Sequence, residues 1–97
     1  MKIAIQRTGG FAGLQEELAS VDTAQLPPAE ARRIEELVEN AGFFGLPTAL
    51  GGEITGADLF QLRITVTDGA RRHTVEFPDH ESPELAPLRA LVRSLAP

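Results

Sequence analysis

With 97 residues, 42% of them hydrophobic and 24% charged, the chain has the length and composition of one globular domain with a single core. Its formal charge of −5, with basic residues only in small groups such as Arg32-Arg33 and Arg71-Arg72, argues against a nucleic-acid partner, which needs several phosphate-neutralising cations on one surface. The absence of cysteine excludes disulfides, thiolate catalysis and cysteine zinc sites, and no apolar run approaches the ~20 residues of a membrane-spanning helix.

The opening Met1-Lys2-Ile3-Ala4-Ile5-Gln6-Arg7 has no apolar centre of a secretory signal, which points to a cytoplasmic protein without a membrane partner. Ile3 and Ile5 alternate with Lys2 and Gln6, the period-two pattern of a half-buried strand. The run Arg7-Thr8-Gly9-Gly10-Phe11-Ala12-Gly13-Leu14 ends it. A dinucleotide cradle needs G-x-G-x-x-G opening directly into a helix, and the spacing of Gly9, Gly10 and Gly13 does not supply it, so the run reads as a hairpin loop. Residues 14–21 fit two periods: Leu14, Leu18 and Val21 suit a helix, while a short glycine-rich connection suits a second strand, which is the expectation adopted.

Leu26-Pro27-Pro28-Ala29-Glu30 is a helix entrance, because proline loses nothing in the first turn and Glu30 complements the positive end of the dipole. Ala31, Ile34, Leu37, Val38 and Ala41 form its apolar stripe, and Gly42 supplies a left-handed stop. Phe43, Phe44 and Leu46 turn back onto the core, and residues 47–56 form a loop. Phe60, Leu62, Ile64 and Val66 then alternate with polar residues up to Asp68-Gly69, which reads as a type I′ turn. That turn pairs Phe60 with Phe77, Leu62 with Val75 and Ile64 with His73, and on the other face Thr65 with Arg72, Arg63 with Thr74 and Gln61 with Glu76. Ser82 reads as the cap of a last helix carrying Leu85, Leu88, Leu91, Val92 and Leu95 on one stripe, its regular part delayed by Pro87. The order β-β-α-β-β-α predicts a single α+β domain over residues 1–97, a two-layer sandwich of an antiparallel four-stranded sheet with two helices on one face.

Little in this pattern carries catalysis. His73 belongs to a strand, Asp79-His80-Glu81 to a connector, and no three ligands converge by spacing, so no metal or cofactor is expected. The serines are Ser20, the cap Ser82 and Ser94 near the end of the last helix, none beside a histidine in sequence, and Glu35-Glu36 lie on the wet face of a helix; the chain reads as a non-enzyme.

In order along the chain, Met1-Lys2-Ile3, Arg7-Thr8-Gly9-Gly10-Phe11-Ala12-Gly13, Leu26-Pro27, Leu37-Val38 within the helix and Phe43-Phe44-Gly45-Leu46-Pro47 resemble the emfourin family. The likeness is in residues over the first half and in layout over the second; Thr8 stands where the family most often has serine, and keeps the hydroxyl. The resemblance implies an inhibitor of thermolysin-like zinc metallopeptidases of the protealysin type, blocking the active-site cleft as a non-covalent one-to-one complex. It implies peptidase-binding residues at Thr8, Gly9, Gly10, Phe11, Ala12, Gly13 and Leu14. Phe11 is a candidate plug for the pocket that takes a bulky apolar side chain after the scissile bond, and Leu14 a second; the alternative is that Phe11 folds inward over the core. Further contacts are expected from other loops, at Thr48, Leu50, Asp68 and Gly69. The competing reading is a non-inhibitory interaction module docking through the open sheet face formed by Gln61, Arg63, Thr65, Arg72, Thr74 and Glu76.

Overall fold

A computed structural model describes residues 1–9, 14–50, 60–80 and 82–96. The elements are β1 (Lys2–Gly9), β2 (Leu14–Asp22), α1 (Pro28–Asn40), β3 (Phe60–Asp68), β4 (Arg71–Pro78) and α2 (Ala86–Leu95), with single 3-10 turns at Thr23–Gln25, Phe43–Gly45 and Pro83–Leu85. The strands form one antiparallel sheet in the order β2-β1-β3-β4. This is the expected α+β architecture, and residues 14–21 are strand rather than helix.

Alternation makes the core. Ile3 and Ile5 of β1, Leu62, Ile64 and Val66 of β3, and Val75 and Phe77 of β4 all bury against Ile34 and Val38 of α1 and Leu85, Leu88 and Leu91 at α2. Each such burial contributes about 1.5–3 kcal/mol before the cost of ordering the chain. The helix layer is fastened at one end by Thr23, whose amide donates to the Met1 carbonyl at 2.9 Å while its hydroxyl donates to Glu35 Oε2 at 2.6 Å. Gly42 has φ +60°, the left-handed stop foreseen for α1. His73 Nε2 lies 2.6 Å from the Leu46 carbonyl oxygen, to which it donates, and the ring packs edge-on against Phe43.

Two local expectations are corrected. The β3–β4 turn is Gly69-Ala70, since Asp68 already pairs with Arg71 and their side chains meet at 2.9 Å. Gly69 has φ +62° and Ala70 does not have positive φ, which is the type II′ pattern; type I′ would need positive φ at both central residues. The register therefore moves by two, to Leu62–Phe77, Ile64–Val75 and Val66–His73 inside and Arg63–Glu76, Thr65–Thr74 and Thr67–Arg72 outside. A shift of two leaves every residue on its expected face. Opposed charges and the Thr65–Thr74 hydroxyl pair, 3.0 Å apart, are the cross-strand signal that favours this register. Ser82, for its part, makes no side-chain capping bond; the chain enters through the turn at Pro83–Leu85 and α2 starts at Ala86, which puts Pro87 in the first turn where a missing N–H is harmless.

The two sheet edges differ. Beside β4, Ala49 forms a parallel bridge with Glu76, supported by Leu50 N to Glu76 O at 2.9 Å and Glu76 N to Thr48 O at 2.8 Å. On the other side β2 is the outermost strand.

Candidate functional site

The β1–β2 hairpin pairs without interruption of direction from Lys2–Asp22 to Gly9–Leu14. Ile3 faces Val21 and Ile5 faces Ala19, but Gln6 faces Glu17, so Leu18 is an extra residue on β2 and the ladder is bulged there. Without the bulge Arg7 would face Glu17; with it Arg7 faces Glu16. Gly9, at φ 103°, holds a backbone conformation that a side chain would strain, and it is flanked by Leu14 on one side and Phe60 on the other.

Three side chains meet at this end of the sheet, on the same face as the core. Arg7 Nη2 donates to Glu16 Oε2 at 2.7 Å, and the Arg7 guanidinium carbon lies 4.7 Å from the centre of the Phe60 ring. Arg7 Nε is buried and has no hydrogen-bond partner among the described residues. The opposite face at the same level carries Thr8, opposite Gln15 and Gln61.

Of the residues expected to bind a peptidase, Thr8, Gly9 and Leu14 come together at the end of the hairpin. Gly10, Phe11, Ala12 and Gly13, and with them the question of which way Phe11 points, lie outside the described residues. Thr48 and Leu50 are engaged along the β4 edge, with Leu50 packed on the core. Asp68 and Gly69 sit at the far end: Gly9 pairs with Phe60 and β3 runs on from there to Asp68, which separates the turn from Gly9 by roughly 26 Å at ~3.3 Å per residue. The structure does not gather them with the hairpin end. Sequence reasoning overlooked Arg7, Glu16 and Phe60 as a group, because the bulge that sets Glu16 opposite Arg7 leaves no mark in the alternation of polar and apolar residues.

The open face is polar except for Ala4. Its rows run Asp22, Lys2, Thr67, Arg72; then Ser20, Ala4, Thr65, Thr74; then Glu17, Gln6, Arg63, Glu76. Arg63 is taken by Glu76 at 3.2 Å, and the shallow depressions here are lined by hydroxyls, charged groups, Gln6 and Ala4, with Ile3 and Val21 of the core face at one margin; among the described residues no aromatic or large aliphatic side chain is placed on the open face as an anchor. Stable protein interfaces draw most of their energy from such anchors, so this face favours hydration over docking. Among the described residues no group of three or more His, Asp or Glu is placed to hold a metal, and Asp79 is engaged by Arg89 at 3.0 Å. No described helix is long and apolar enough to cross a membrane.

The sequence model of the family described as Emfourin matches residues 5–96, nearly the whole chain. No curated protein and no solved structure gives a significant match.

Proposed function

Since this chain belongs to the emfourin family, an inhibitor family whose membership supports a protease-inhibitor role, we propose that it blocks the active-site cleft of a thermolysin-like, protealysin-type zinc metallopeptidase as a non-covalent one-to-one complex. The family match over residues 5–96 carries the reading. The hairpin gives it a mechanism. An inhibitor of this kind needs no reactive group of its own; it needs a segment held ready for the cleft, so that little freedom is lost on binding. Residues 8–14 supply the segment, glycines letting the peptidase backbone approach closely and Phe11, with Leu14, filling the apolar pocket beyond the scissile position.

The test is inhibition of peptide hydrolysis by a protealysin-type enzyme. Stoichiometric loss of turnover, reversible on dilution and with the chain recovered intact, is expected. Full activity of such enzymes at micromolar concentrations of this protein would overturn the proposal.

A further inference from the structure

Arg7 joins three stretches of chain with one side chain. It stands on β1 two residues before Gly9, binds Glu16 on β2 two residues after Leu14, and lies over Phe60, the first residue of β3 and the cross-strand neighbour of Gly9. A flat guanidinium is suited to this, because it forms a directional bond in its plane while its face rests on a ring; a lysine ammonium is a compact, strongly hydrated point charge with no planar face to combine the two. The Nε end of the group is buried at the base of the hairpin, while the side chain as a whole keeps 35% of its surface exposed. The bulge at Leu18 serves the same group, since it is what brings Glu16 rather than Glu17 opposite Arg7.

We propose that Arg7 is a positioning residue for inhibition: with Glu16 and Phe60 it clamps the base of the β1–β2 hairpin, so that the strand ends at Gly9 and Leu14, which present the peptidase-binding segment, stay in register and the chain resists cleavage. The inference rests on the inhibitor reading above. Its physical content is preorganisation, which lowers the freedom lost on binding and acts chiefly on the rate of dissociation. A clamped strand base also keeps a cleaved bond's ends together, whereas a loosened one lets the chain leave as product.

The experiment compares the full chain with Arg7→Met, Arg7→Lys and Glu16→Gln. Inhibition of a protealysin-type peptidase by the unaltered protein decides the inhibitor reading by itself. Given that inhibition, Arg7→Met is expected to raise the inhibition constant tenfold or more through faster dissociation, and to turn the protein into a slow substrate, with mass spectrometry finding a cut between residues 9 and 14 over hours. Arg7→Lys is expected to recover part of the loss, and Glu16→Gln to lose a fewfold. Amide exchange at Gly9, Gln15 and Phe60 in the free protein gives a readout independent of any peptidase, and is expected to quicken in Arg7→Met while exchange at Ile64 and Val75 is unchanged. A folded Arg7→Met variant that inhibits like the parent, stays uncut and exchanges at the parent rate at Gly9 would overturn the clamp and leave the inhibitor reading standing. Should Arg7→Met fail to fold, Glu16→Gln carries the same test, and parental dissociation and exchange there overturn the clamp equally.

Discussion

The hydroxyl of Thr23 donates to Glu35 Oε2 at 2.6 Å, joining the turn after β2 to the middle of α1, at the end of the sheet away from Gly9. Thr23 is 3% exposed, so its hydroxyl depends on protein partners rather than on solvent, while Glu35 is half-buried. Thr23→Val keeps the shape and removes the donor. Hydrogen bonds to charged groups contribute about 1.5–3 kcal/mol, and a loss of about 2 kcal/mol is expected in urea unfolding. Peptidase inhibition by the folded variant should match the parent, because the change is remote from the hairpin end.

Gly9 and Gly69 both have positive φ, at opposite ends of the sheet, which makes them a matched pair. A methyl group at Gly69 meets no atom within 4 Å, so Gly69→Ala is penalised by backbone strain alone. About 1 kcal/mol of stability should be lost in each alanine variant. Inhibition should fall only for Gly9→Ala. Equal inhibition by the two variants would argue that the hairpin end is not the contact.

Phe11→Ala tests the plug directly. A central aromatic anchor costs about 2 kcal/mol or more on truncation, roughly a thirtyfold rise in the inhibition constant. Calorimetry should show a melting temperature unchanged within about 2 °C, since a side chain spent on the partner contributes little to the free protein. A large fall in melting temperature with unchanged affinity would instead assign Phe11 to its own core.

Arg72→Glu on the open face addresses the competing docking surface. Arg72 is exposed and paired across strands with Thr67. Surface changes of this type stay within about 0.5 kcal/mol of stability. The inhibition constant should also stay put; a marked rise would move the interface onto the sheet.

Leu88→Ala probes the helix layer. Leu88 is 1% exposed within the shared core, and truncation of a buried leucine costs about 2–5 kcal/mol. Against a total of about 5–15 kcal/mol for a domain of this size, a clear fall in the urea midpoint is expected.

The legible parts of this fold were those where one local rule sufficed. Alternation at Ile3 and Ile5, and at Leu62, Ile64 and Val66, predicts strands because side chains in a strand must choose a face, and the stripe from Ile34 to Val38 predicts α1 for the corresponding helical reason. Gly42 announced its left-handed stop. The register of β3 on β4 was missed because Asp68-Gly69 and Gly69-Ala70 leave the same faces inside, so only the partner identities, Arg63 with Glu76 and Thr65 with Thr74, tell them apart. Ser82 reads as a cap from its type and place, but the 3-10 turn at Pro83–Leu85 takes the chain in differently. At the candidate site the glycines were visible and the Arg7 group was not. Glycine reports its own backbone, whereas a cross-strand ion pair depends on a bulge whose position is set by packing on both sides of the hairpin.

The unlike treatment of the two sheet edges bears on solubility. Beside β4, residues 48–50 occupy the hydrogen-bonding groups of Glu76 that another chain would need. Along β2, the irregularity at Leu18 spoils the even spacing that strand-to-strand stacking requires, and Glu16 and Glu17 are exposed beside it. Under the proposed function the hairpin meets another protein's cleft, and the bulge and the paired acids at the rim are the features of β2 that disfavour pairing with a copy of itself.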